Sequence, residues 1–396
     1  MNKATSSKIT MKKLVTTIGL SLVFGLANAQ SKDTDTVNFS FPIQQNADLL
    51  EKAPAYSVKS DSYWFETTGE KLNQGLQIPA TQSNIALLVS SATSDNSLGQ
   101  RDATPLNISA MQLTMANNPN KSVIEHRVSQ EQLLQAGMVG TSLALTTQDD
   151  MQPGNLMLST SQPLSPSDQY IVTVKEKDSA FTLDMTMEGQ SFTQNETVLA
   201  KASLSKSGKQ MVSAMNAELV APDGTIRSVD VRKNAAGETV FAMPPADVVI
   251  PPIQGLYELR VNTSSLQDGM SVNRNAKVAF AMTNDSGSMR RVILRNRNGL
   301  KAVIRMDANT ASRFEARGTL YGTNDAGEMV PVMETHTAKN MERGRNRLVM
   351  TFDQDILDKA NVSAPFELKN VRLYDQQQLG MVDTYSQPVT FNRRLK

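Results

Sequence analysis

Apolar residues recur at every second position through long stretches of this chain, and that period constrains the fold more than any other feature. In FTLDMTM, Phe181, Leu183, Met185 and Met187 alternate with Thr182, Asp184 and Thr186. Successive strand side chains point to opposite faces, so the four apolar groups share one face. The pattern returns in TVLAKASL, around Ala217 to Val220, in TVFAM, in LYELRV and in AKVAFAM. Between these runs lies Pro222-Asp223-Gly224, which supplies a fixed φ, an Asx side chain and a residue free to take positive φ. Seven short strands with turns between them over about 110 residues read as a β-sandwich.

The last third repeats the plan. Phe366, Glu367, Leu368 and Lys369 match Tyr257, Glu258, Leu259 and Arg260 type for type at an offset of 109 residues, one sandwich length. Upstream, Phe314, Ala316, Gly318 and Leu320 alternate, and Asn324-Asp325-Ala326-Gly327 turns the chain as the earlier Pro-Asp-Gly does. The order of alternating strand, Pro-Asp-Gly turn, Gly-x-Tyr-x-Leu-x-Val and a basic residue resembles bacterial immunoglobulin-like and fibronectin-like modules. Pro222, Asp223, Gly224, Gly255, Tyr257, Leu259, Val261 and Arg274 carry the likeness. It implies that Tyr257 packs in the core near the start of a penultimate strand, with its hydroxyl on backbone. With YWFETTGEKLNQGLQIP ahead of these modules, the chain is similar to an uncharacterised family of exported gammaproteobacterial proteins. That family has a β-rich N-terminal domain followed by two such modules, so the resemblance implies a fold and a location but no activity.

The N-terminal domain is less regular, with strand-like pieces at VNFSF, IALLVS and LNISAMQLTM. One short helix is well signalled: Ser129 as N-cap, Gln132 completing a capping box and Gly137 past the end. The Ser/Pro/Gln-rich segment TSQPLSPSDQ reads as a linker. The expected organisation is all-β: a signal peptide over 1–29, a β-rich domain with a short helix over 30–165, and immunoglobulin/fibronectin-like β-sandwiches over 166–286 and 287–396.

Lys8, Lys12 and Lys13 precede an apolar run from Leu14 to Leu26, and Ala27-Asn28-Ala29 follows before Gln30. A positive segment, an apolar segment and an A-x-A site make a cleaved secretory signal. The apolar run is too short for a membrane span, which needs about 20 residues. There is no cysteine in 396 residues, which suits a bacterial envelope better than a disulfide-stapled eukaryotic exterior. The expected location is the periplasm or the extracellular space of a Gram-negative bacterium, with no membrane span after cleavage.

Catalytic machinery is sparse. The two histidines, His126 and His336, sit at no metal-ligand spacing, and the HExxH, P-loop, GxGxxG and G-x-S-x-G patterns are missing. Asp353/Asp355 and Asp149-Asp150 read as solvated surface, so neither a cofactor nor a metal is expected. Two clusters remain as candidate ligand contacts. Tyr63, Trp64 and Phe65 hold the one tryptophan, and three consecutive aromatics on a strand must split between core and exterior. Arg343, Arg345 and Arg347 alternate within a basic C-terminal region: from Ser288 onward 18 Lys/Arg stand against 12 Asp/Glu, net +6, whereas Gln30 to Gly287 has 18 against 27, net −9. Arginines in this pattern suit phosphate or carboxylate. A non-catalytic binding or spacer protein is expected, with an envelope protein or an anionic glycan as partner and no nucleic acid. The rivals are a hydrolase with its site in the N-terminal domain, which needs His126 gathered with carboxylates or a serine, and a chaperone or inhibitor that offers a free sheet edge.

Overall fold

The computed structural model describes residues 35–392 apart from 48, 50–54, 97–98, 139, 236–237, 246–247, 249–253 and 297. The expected signal peptide lies outside the described residues. From Thr36 onward the described residues form one compact unit of three β-sandwiches.

In the first sandwich, one sheet runs in the order Ile124–Val128, Ser142–Thr147, Ala86–Ser91, Gln169–Lys175 and Ser62–Thr68; the other runs Leu76–Ala80, Gly154–Thr160, Met111–Met115 and Asn118–Ser122. Alternation fills the space between them: Leu87 and Val89, Leu143 and Leu145, Leu156 and Leu158, and Val172 and Val174 are all buried. The helix Gln130–Gln135 has the expected N-cap, with both bonds of the Ser129/Gln132 capping box formed.

The middle sandwich faces Phe181–Met187, Val198–Lys206, Thr239–Met243 and Val231–Lys233 against Ser191–Thr193, Met270–Thr283, Tyr257–Gln267, Ala214–Val220 and Ile226–Val229. Phe181, Leu183, Met185 and Met187 all turn inward, as their spacing requires. The turn and the tyrosine strand meet: a Cβ on Gly255 would come within 2.9 Å of Pro222, so only glycine fits there. Tyr257 opens its strand, is 2% exposed, and stacks on Phe280 at 5.6 Å.

In the third sandwich, Met329–Met341, Ser312–Thr323, Ser363–Asp375 and Gly380–Tyr385 face a three-stranded sheet of Gly287–Asn296, Leu300–Ala308 and Gly344–Thr351. Phe366 and Leu368 are buried, like Tyr257 and Leu259 at the matching positions. A helix over Gln354–Ala360 turns Asp353 into an N-cap that accepts from the Asp355 and Ile356 amides.

Two expectations are corrected. The VNFSF strand does not belong to the N-terminal domain. As Val37–Pro42 it pairs antiparallel with Met329–Met341 at the edge of the third sandwich, and the Asn38 amide clamps both backbone groups of Thr351 on the facing sheet. Tyr56–Ser60 then adds to the middle sandwich beside Phe181–Met187, and only from Ser62 does the chain build the first. Period-two alternation specifies a strand's faces but not the sheet that takes its edge. The segment TSQPLSPSDQ is also not the interdomain linker. It folds back on the first sandwich, where Asn73 bonds Leu164 and Gly69 bonds Asp168, and Gln169–Lys175 still belongs to that domain.

Candidate functional site

Strand Ser62–Thr68 resolves the three aromatics by its pleat. Tyr63 points into the first core, 3% exposed, and its hydroxyl donates to the Pro79 carbonyl at 2.6 Å. Burial, reinforced by the charge of Glu176, pushes the Tyr63 phenol far above its ordinary pKa. Phe65 packs beside it, ring centroids 6.1 Å apart. Trp64 points the other way, across the junction toward the middle sandwich, and its backbone N–H donates to Asn275 Oδ1 at 2.6 Å.

There it borders a cleft of about 880 Å³ between the two domains. One wall is the edge of the first sandwich, with Trp64, Glu66, Gln77 and Pro79; the other is the outer face of the sheet of Ala214–Val220, Tyr257–Gln267 and Met270–Thr283. Strand register sets polar residues across that face in rows. Asn216, Asn262 and Asn275 are direct cross-strand partners, flanked by the row Glu218, Arg260 and Lys277. Asn275 donates to Asn262 within the ladder. The Arg260 guanidinium lies over the Trp64 ring, 5.5 Å from its centroid, and its Nε donates to Glu258 at 2.6 Å. Burial opposes the charge on Glu258, but the bonds from Arg260 and Lys277 win and hold its pKa below the usual carboxylate range.

A buried ion pair behind the cleft ties its walls together. Arg274 and Glu176 are both fully enclosed. Arg274 Nε donates to the Phe181 carbonyl at 2.9 Å, Nη1 to the Asn273 carbonyl at 2.6 Å, and Nη2 to Glu176 and to Ser179 Oγ at 2.8 Å. Glu176 also accepts from the Thr81 amide at 2.7 Å and from the Thr81 hydroxyl. Thr81 belongs to the first domain and Arg274 to the middle one, so the pair fixes how the two cleft walls meet. Arg274 entered the sequence reading only as the basic residue of a motif. A sharper signal was present, because it shares the inward alternation of Val272, Ala276, Val278 and Phe280, and an arginine on an apolar face requires a buried partner.

The structure does not gather Arg343, Arg345 and Arg347 with the aromatics. Arg345 and Arg347 lie on the exposed face of Gly344–Thr351, and Arg343 just precedes that strand. Glu334 is held by Arg372 at 3.1 Å, not by these arginines.

His126 is exposed and sits 3.7 Å from Glu125, outside the cleft lining. His336 is mostly buried at 14% side-chain exposure, with Nδ1 2.9 Å from Glu315 and Nε2 3.5 Å from Glu334. Among the described residues no group of three or more His, Cys, Asp or Glu side chains is placed to hold a metal ion, and no helix is long and apolar enough to cross a membrane.

An all-β chain of three β-sandwiches, with a polar cleft at the first junction, is the class that this geometry defines. Residues 28–176 match the N-terminal domain, and residues 286–392 the C-terminal domain, of a family described as a domain of unknown function, DUF4785. The chain belongs to the DUF4785 family. A DUF4785 family protein from Legionella pneumophila has a similar structure, with a TM-score of 0.64 at 19% identity, over 89% of this chain and 92% of that one. More distantly, Escherichia coli alpha-2-macroglobulin aligns with a TM-score of 0.27 at 11% identity over 79% of this chain and 20% of that one. Chicken CNTN1 FN1-FN3 domains align with a TM-score of 0.23 at 7% identity over 83% and 97%. No curated protein matches.

Proposed function

We propose that this protein is a non-catalytic binding protein, exported to the bacterial envelope or beyond, whose interdomain cleft takes a neutral glycan. The observation that carries the reading is the pairing of Trp64 with the Asn216–Asn262–Asn275 ladder across one cleft. Sugars present apolar C–H faces and dense hydroxyls. An indole serves the first, and side-chain amides, each both donor and acceptor, serve the second. The cleft's charges balance in number, since Glu66 and Glu218 stand in its lining against Arg260 and Arg274. Export rests on the positive segment, the apolar run and Ala27-Asn28-Ala29.

Trp64 is the only tryptophan, so fluorescence excited selectively at tryptophan reports on this cleft alone. Titrating the mature protein with neutral and N-acetylated oligosaccharides should give a saturable emission change that Asn262→Ala weakens at least tenfold, with the sugar recovered intact. A flat titration across the millimolar range would remove the cleft reading.

A further inference from the structure

The outer face of the three-stranded sheet in the third sandwich carries arginines in cross-strand register, and it is separate from the cleft. Arg291, Arg305 and Arg347 are direct partners across Gly287–Asn296, Leu300–Ala308 and Gly344–Thr351. All three are exposed, and none has a carboxylate within 4.0 Å among the described residues. Arg295 and Lys301 form a second cationic pair farther along the sheet. The face has one acid beside the row, Asp307, and Arg290 occupies it at 3.1 Å. The opposite face of the same strands is ordinary core, with Val292, Ile304 and Leu348 buried.

Like charges placed directly opposite one another destabilise a sheet, so a row of three arginines without counter-charge is a cost to the fold. It is also a receptor for anions. Adjacent strands are about 4.8 Å apart, so guanidinium groups start at that interval across about 10 Å, each able to hold a carboxylate with two parallel bonds. We infer that this face binds a linear acidic polysaccharide with a carboxylate on successive sugars. The surface between the cationic rows favours a polymer over a bilayer: Ile293, Val303 and Val349 are half-buried, and the face offers none of the projecting aromatic or leucine side chains that insert between lipids.

The test uses the whole mature protein and polygalacturonate, with neutral dextran and phosphatidylglycerol vesicles as separate arms. The triple variant Arg291→Gln/Arg305→Gln/Arg347→Gln should weaken polygalacturonate binding at least tenfold, flatten its salt dependence, and melt at or above the parental temperature. A control with the same charge change on the middle sandwich, Lys209→Gln/Arg232→Gln/Lys233→Gln, should bind like the parent. Binding that survives the arginine-row variant, or falls equally in the control, overturns the inference. So does binding to the vesicles with none to the polymer. Because Trp64 fluorescence is insensitive to this face, failure here leaves the cleft reading standing, and failure there leaves this one.

Discussion

Arg274 and Arg305 each sit on the middle of an antiparallel strand, yet they are put to opposite uses, and the difference follows from the face each occupies. Arg274 alternates with Val272 and Ala276 on the inward side, where an unpaired guanidinium would be intolerable. Each of its three nitrogens donates, to Phe181, Asn273, Ser179 and Glu176. Arg305 occupies the outward side between two other arginines and has no acid of its own. A charge whose partners lie within the chain holds domains together; one left without partners is free for something outside. Arg317 and Arg372 lie between these extremes, half-buried and sharing Glu315, Glu334 and His336.

The largest effect should come from breaking the enclosed pair. Glu176→Gln or Arg274→Met leaves one buried partner uncompensated, which costs about 3–5 kcal/mol. Replacing both with apolar residues of similar volume should recover most of that. Denaturant melts of the two single variants and the double variant check this; single variants as stable as the parent would show that the pair does not bind the first and middle domains together.

Next in size is Tyr257, which stabilises by packing where Arg274 does so by charge. Tyr257→Ala should cost about 3 kcal/mol or more through the cavity it leaves against Phe280, read from the same melts. Burial and the nearby charge of Asp223 raise its phenol pKa to about 12, so alkaline difference spectra of the parent should lose an ionisation above the ordinary tyrosine range when Tyr257 is replaced by Phe.

How much of this was legible beforehand differs by residue. The faces of Phe181–Met187, the Ser129 cap and the Pro222-Asp223-Gly224 turn follow from local rules, because propensity, turn chemistry and period act over a few residues. The destination of Val37–Pro42 does not, because Met329–Met341 lies almost 300 residues away and any free edge satisfies the same pattern. Trp64 could be assigned a face opposite Tyr63 and Phe65, but not the asparagine ladder that meets it, since Asn216, Asn262 and Asn275 align only once register is set. The arginine face shows the same limit. Arg345 and Arg347 do share one exposed face, yet Arg347 alone of the three arginines in that spacing belongs to the row, whose other members come from two other strands that align with it only through register.

The half-buried network should show a smaller, pH-dependent effect. Burial disfavours the charge on Glu315, but the bonds from Arg317 and Gln376 outweigh it and hold its pKa below the ordinary value. A carboxylate with a depressed folded-state pKa stabilises fully above its unfolded pKa and loses that contribution as pH falls through the folded one. Glu315→Gln should therefore cost about 1–2 kcal/mol at pH 7, and the gap to the parent should narrow below pH 4. A gap unchanged between pH 7 and pH 3 would place the stabilisation in packing and not in charge.

The smallest effect has the opposite sign and bears most directly on the comparison. If the row Arg291–Arg305–Arg347 is uncompensated, removing its central member relieves two like-charge contacts at once, and Arg305→Thr also places a β-branched residue on a central strand. Each cross-strand term is worth about 0.2–1 kcal/mol, so the variant should be more stable than the parent by a fraction of a kcal/mol. The gain should fade as salt rises, because exposed charges are screened over about 8 Å at physiological ionic strength. Arg274→Thr should show no such relief at any salt. Thermal melts of both variants in 10 mM and 500 mM sodium chloride separate the cases. Loss of stability in Arg305→Thr at low salt would mean that the guanidinium is anchored within the chain, and the contrast between the two arginines would fail at its weaker end.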